Sequence, residues 1–213
     1  MAADPLPPPV FLPPPAETGG SSVMEALAVR RTIREIAATP LPTAILSTLL
    51  WAAFGVNRAA GPFGAAGRTA ASASNSQEIE LYVVLPQGAY RYEAAGHRLR
   101  PIAAGDLRPL ALTPRQHGVV ASAPVQIVYV VDIDRLEHTI GFDEPGLHDT
   151  EVQKSYYFVD LGLIAGNVSL FAAAHGLAAW FHNCDKARLA ERLKLGASQK
   201  ALFAHSVGYP ANA

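Results

Sequence analysis

The chain has 213 residues, half of them hydrophobic and 16% charged, with a formal net charge of −1. That length and composition fit one domain with a sizeable core and apolar surface left over for an oligomer interface, while the charge balance argues against nucleic acid as a main partner. The single cysteine, Cys184, excludes an intramolecular disulfide and any multi-cysteine metal site.

Residues 1–20 read as a separate arm. Pro5, Pro7, Pro8, Pro9, Pro13, Pro14 and Pro15 fix φ and remove donors, so the arm is extended. Val10, Phe11 and Leu12 in its middle either dock on a neighbouring subunit or leave a loose tail. Residues 21–213 read as one domain. No basic and apolar leader opens the sequence, and no apolar run reaches about 18 residues, so a cytoplasmic location is expected and a membrane is not. A signal already removed would leave no trace.

Ser21 or Ser22 can cap a helix that runs through Met24, Leu27 and Ala28 to about Arg31. Thr43 is expected to cap a second helix, TAILSTLLWAAFG, stopped by Gly55 and apolar nearly all round, hence buried. Residues 56–77 form a Gly- and Ala-rich connection whose length is uncommon without a function. From residue 78 to 85, Ile79, Leu81 and Val83 alternate with Glu78, Glu80 and Tyr82, which is a strand signal. A hairpin follows, pairing 89–93 with 99–102.

Residues 106–121 read as irregular helix, and 133–149 as a mobile surface segment. PVQIVYVV, residues 124–131, is an apolar strand for the sheet centre. Residues 150–176 read as one long helix, apolar almost all round, with Gly162 and Gly166 on one face for close approach of another helix, a subunit interface being the obvious candidate. A short strand at 178–181, a helix capped by Asp185 and a last strand at 201–209 complete an α+β domain.

Two stretches carry candidate chemistry. In an extended RRTIR segment, Arg30, Thr32 and Arg34 project to one side, with Arg31 beside them, and guanidinium forks flanking a hydroxyl suit a phosphate. A solvated basic helix end is the plainer alternative. In RTAASASNSQ, residues 68–77, small and amide-bearing side chains let a backbone approach a flat ligand and offer it hydrogen bonds. GxGxxG after a strand, GxxxxGK and GxSxG are all absent. The seven histidines are scattered, so no metal site is expected.

The order RRTIR, LLWAAFGVNR, RTAASASNSQEIELYVV, YRYEAAGHRLRPI, VDLGLIAGNVSLFAAAHGLAAW and VGYP resembles the nitroreductase family of flavin enzymes, most of all the subgroup that includes the dehydrogenases of peptide maturation. The resemblance covers about residues 24–210. It implies a three-layer α+β fold, with a mixed, mostly antiparallel sheet flanked by helices and a long central helix at the interface of a homodimer.

The same resemblance implies FMN bound between the subunits, two-electron transfer from NADH or NADPH to a small-molecule acceptor by a ping-pong route, and no catalytic side chain, since flavin N5 carries the chemistry. The family's Arg-x-Ser-x-Arg/Lys segment falls on Arg30, Thr32 and Arg34. Its Pro-Ser-x-x-Asn-x-Gln loop, contributed by the other subunit, falls on Ala71, Ser72, Asn75 and Gln77, with Ala73 inside it. The stretch facing flavin N5 and O4 falls on residues 180–183, among them Phe181 and His182. Ala71 stands where proline is usual, and the basic residues many relatives carry beyond Gly-Tyr-Pro do not follow here, so Arg30, Thr32 and then Arg31 or Arg68 are expected to hold the phosphate. The acceptor is a nitroaromatic, a quinone or a similar ring. Oxidation of azoline rings in a peptide precursor is one alternative, and a flavin-storing or flavin-sensing protein without turnover is another.

Overall fold

The computed structural model describes residues 5–116, 123–140 and 145–211. Its strands are β1 (Val10–Phe11), β2 (Val56–Arg58), β3 (Gly67–Arg68), β4 (Ile79–Leu85), β5 (Gly88–Glu93), β6 (Arg98–Ala104), β7 (Val125–Asp132), β8 (Ala178–His182) and β9 (Gln199–Gly208). Its α-helices are α1 (Val23–Val29), α2 (Thr43–Phe54), α3 (Ile133–Glu137), α4 (Thr150–Ala174) and α5 (Lys186–Arg192). Seven strands form one sheet in the order β1-β6-β5-β4-β7-β9-β8, and β2 and β3 form a separate ribbon. Each of these pairings is antiparallel.

The sheet is covered on both faces. Ile79, Leu81, Val83, Ile127 and Tyr129 pack with Leu49, Leu50, Ile164 and Val168 of α2 and α4. On the other face Tyr82, Val84, Val128 and Val130 pack with Leu189 of α5 and with Leu110 and Ala111. Alternation in β4 therefore sorts residues between two cores instead of between core and water, and all seven are buried.

Several expectations are corrected in detail. The arm docks on its own chain: β1 pairs with β6, and Leu12 is buried. Thr43 is the first residue of α2 and not its cap. Pro42 takes the cap position, where it offers no side-chain acceptor. Ser22 does cap α1, in a reciprocal box with Glu25. Among the described residues the segment after β6 holds the 3-10 turn Arg108–Ala111, and residues 117–121 of the expected helix lie outside the described residues.

Residues 133–140 and 145–149 are not a loose surface strip. Leu136 and Leu147 are buried, and the Gln153 amide donates to Glu137 Oε1 and Leu147 O. Residues 141–144 of that strip lie outside the described residues.

α4 is 25 residues long and holds an 18-residue window of mean hydropathy 1.5, so it meets the length and composition of a membrane span, against the expectation of no such run. It packs on α1, α2 and β8 as a core helix of this fold. Its outward face keeps Phe158, Val159 and Leu163 exposed, and a Cβ added to Gly162 or Gly166 would meet nothing described within 4 Å.

Candidate active site

The chain leaves α1 at Arg30 with φ −56° and ψ 121°, so the helix ends and an extended run begins. That run is fastened by the Ile33 N–H to Ala179 O at 3.1 Å, the Ala37 N–H to Tyr209 O at 2.8 Å and a bridge from Ile36 to Pro210. Gly208 makes the approach possible, since a Cβ there would lie 2.6 Å from Ile36 Cγ2. Ile33 and Ile36 point into a small core with Leu112, Ala178 and Trp180. Arg30, Arg31, Thr32 and Arg34 stay exposed.

The Arg34 guanidinium lies over the Trp180 ring, 5.4 Å from its centroid, which fixes it at a cation–π distance. Among the described residues none of the three arginines has a carboxylate within salt-bridge distance. Beside them opens a cleft of about 580 Å³, lined by Val29, Arg30, Arg31, Ile33, Ala173 and Leu177. A phosphate-bearing ligand fits such a wall: two guanidinium groups, Arg30 and Arg31, without a carboxylate partner among the described residues, next to an apolar floor.

β8 brings Phe181 and His182 to the same edge. The Phe181 ring stacks obliquely on Phe203 with centroids 5.0 Å apart. His182 is buried, with Nε2 2.8 Å from Ser206 Oγ and Nδ1 2.8 Å from Asn183 O. Burial holds its pKa below the ordinary value, so near neutral pH it adds no charge. Its ring serves the core, and what β8 presents at this position is backbone.

The second stretch is a compact, strained loop. Ser74, Asn75 and Gln77 have φ of 46°, 56° and 53°, the left-handed region that non-glycine residues seldom occupy. The side chains singled out in the sequence hold that shape. Ser72 Oγ accepts from the Gln77 N–H at 3.0 Å, the Gln77 amide donates to Ala66 O and Asn75 Oδ1, and the Asn75 amide donates to Pro62 O. Arg68 Nε donates to Gln77 Oε1 at 2.6 Å.

Sequence reasoning missed two carboxyl groups below this loop. Asp160 Oδ2 accepts from the Ala73 N–H at 2.8 Å, and Ser76 Oγ donates to Glu78 Oε2 at 2.6 Å. Burial drives both pKa values up, that of Glu78 to about 7, and each carboxyl acts on the other. Glu78 Oε1 has no other partner among the described residues. A lone Asp inside an apolar helix was the available signal, because a buried carboxyl is kept only where something bonds it.

The Ala73 end of the loop and the arginine cleft meet α4 at different heights. The loop is tied to α4 at Asp160, whereas the arginine cleft is lined by Ala173 of the same helix. Thirteen residues of α4 separate those contacts, about 20 Å along the axis.

A profile of the Nitroreductase family matches residues 27–209, nearly the whole described domain. The chain belongs to the nitroreductase family. A crystal structure of a protein from Ralstonia eutropha JMP134, assigned by its name to the nitroreductases, is 32% identical, with a TM-score of 0.83 over 95% of this chain and 90% of that one. A protein of Methanocaldococcus jannaschii, likewise assigned by name, is 28% identical over 160 residues, which is 72% of this chain and 74% of the relative. The NADPH:FMN oxidoreductase from Vibrio harveyi, solved with NAD+, shares the fold at 22% identity and a TM-score of 0.60, over 88% of this chain and 68% of that one.

Membership brings the general chemistry of a flavin oxidoreductase. In this nitroreductase the loop meets α4 near its middle, at Asp160, and the arginine cleft lies at its C-terminal end, at Ala173.

Proposed function

We propose that the protein is a homodimeric, FMN-dependent oxidoreductase that takes electrons from NADH or NADPH and passes them to a nitroaromatic, quinone or similar small acceptor. The observation that carries this reading is the exposed row Arg30, Thr32 and Arg34, without a carboxylate partner among the described residues, whose Arg30 lines the 580 Å³ cleft. When bound, FMN supplies the two-electron chemistry. Arg30, Arg31 and Thr32 hold its phosphate end, and Arg34, steadied on Trp180, favours negative charge gathering at the reduced ring. The loop at 72–77, preshaped by its own side chains, covers the ring from the partner subunit. The backbone of β8 at Phe181 and His182 lines the reacting edge.

The dimer reading rests on uncovered apolar surface. Val23, Met24 and Leu27 of α1 and Phe158, Val159 and Leu163 of α4 are all exposed in one chain. The spacing of Asp160, which holds Ala73, from Ala173, which lines the arginine cleft, is about 20 Å along α4 and supports a shared site.

The test is spectroscopic. Purified protein given FMN should turn yellow after desalting and bleach anaerobically with NADPH or NADH, then recolour with a quinone. Protein that retains no FMN refutes the reading. Protein that stays yellow with either nicotinamide is a flavin carrier and not this enzyme.

A further inference from the structure

The sheet forks near the start of β4. β4 stays paired with β7 from Ile79 onward, but its pairing with β5 begins only at Tyr82 opposite Arg91. Beyond that point the β5–β6 hairpin leans away, and a cavity of about 320 Å³ fills the gap. Its charged lining is Arg68, Arg91, Arg98, Arg135, Glu80 and Glu93, four positive groups and two negative, a net of +2. Phe54, Leu81 and Tyr92 supply an apolar wall.

Most of these charges neutralise one another. Glu80 pairs with Arg91 at 3.2 Å and Arg135 at 2.8 Å, and Glu93 pairs with Arg91, Arg98 and Arg100. Arg68 is the exception. It is partly buried, lies over the Phe54 ring at 5.1 Å, and donates from Nε to Gln77 Oε1 and from Nη1 to Phe54 O. No carboxylate among the described residues lies within salt-bridge distance of it. Burial and the neighbouring Arg135 both push its pKa down, the signature of a guanidinium without a counter-charge. Arg98 across the cavity engages Glu93 through Nε and leaves its Nη atoms without a described partner.

We propose that this fork binds a small oxyanion, a phosphate or carboxylate group on a compact molecule, held between Arg68 and Arg98. The anion supplies the charge that Arg68 lacks. The apolar wall receives the body of the molecule that carries it. The fork lies on the β5 side of β4 and shares no lining residue with the cleft at Arg30 and Arg31. Gln77 lines the fork and also belongs to the loop proposed to cover the flavin ring, so the fork adjoins that loop but lies apart from the arginine cleft, and Arg68 is assigned here to the fork and not to the FMN phosphate.

The test is calorimetric titration with inorganic phosphate, and separately with acetate, in saturating FMN. Wild type is expected to show saturable binding, weakened about tenfold or more in Arg68→Gln and in Arg98→Gln and unchanged in Arg34→Gln. Binding of phosphate alone or of acetate alone supports the site and names the group it takes. Loss in Arg34→Gln with retention in the other two variants places the anion in the arginine cleft and overturns the proposal. So does wild type without saturable binding. If Arg68→Gln does not fold, Arg98→Gln decides, because its side chain sits at the exposed rim. The heat of anion binding is read whether or not flavin colour appears, so failure here is separate from failure of the flavin reading.

Discussion

Asp160 holds Ala73: the carboxylate in the middle of α4 accepts the backbone N–H of the loop at 2.8 Å across 87 positions of sequence. The loop's three left-handed residues are strained, and this bond ties Ala73, beside them, to the long helix, as Asn167 ties Thr69. Asp160→Ala should cost about 1–3 kcal/mol of stability by urea unfolding. It should also weaken FMN binding about tenfold by fluorescence titration. An unchanged FMN dissociation constant in a folded variant would remove the loop from the site.

Glu78 gives the protein a pH dependence of definite sign. Its folded pKa is raised from the ordinary 4.5 to about 7, chiefly by burial, so the folded state holds a proton that the unfolded state has released. The contribution is present in full below about 4.5 and is lost as pH rises through 7. Asp160, the charged neighbour that acts on it, is shifted the same way. The urea midpoint should therefore fall between pH 5 and pH 8, and Glu78→Gln should flatten that fall. An equally steep slope in the variant would assign the effect elsewhere.

Arg34→Ala should lower FMN affinity more than Arg108→Ala does. Arg34 is exposed over the Trp180 ring, with no carboxylate within salt-bridge distance among the described residues, whereas Arg108 is engaged by both oxygens of Asp106 and by Ala123 O. A charge-assisted contact is worth about 1.5–3 kcal/mol, hence about tenfold or more. Equal dissociation constants for the two variants would count against the arginine face.

The shape of the sheet and the long helix could be read from alternation and apolar content, because those patterns answer to burial, which is a local property of each element. What escaped was tertiary. Glu78 and Asp160 are far apart in sequence, and nothing in either neighbourhood says that they meet. The charges and glycines of 133–149 show no period, so nothing local says that Leu136 and Leu147 are buried. The arginine row was legible for the opposite reason: an extended RRTIR displays its side chains without help from any other element. Ser72, Asn75 and Gln77 were picked out by residue type, but type could not distinguish contact with a ligand from the internal bonds that fold the loop.

Arg34→Ala and Asn75→Ala homodimers should each bind FMN weakly, and mixing them should restore part of the binding and of NADPH-dependent quinone reduction. The basis is the spacing of the two segments along α4, which a second chain would bridge. Heterodimers then contain one intact site and one doubly impaired site. Absence of recovery after proven subunit exchange would place both segments in one chain's site. Light scattering that finds a monomer with FMN bound would reject the shared site more directly.

The docked arm also dictates how two copies can meet. β1 covers the outer edge of β6 with only two paired residues, and the prolines on either side of it have no N–H with which to continue a ladder. At the opposite edge β8 is flanked by the run that carries Ile33 and Ile36. Both rims are therefore partly covered, β6 at Arg98 and Leu99 and β8 at Ala179. Edge-to-edge sheet growth, the route to fibres, is thereby disfavoured, which leaves the helical flank, where Gly162 and Gly166 leave room, to the proposed dimer.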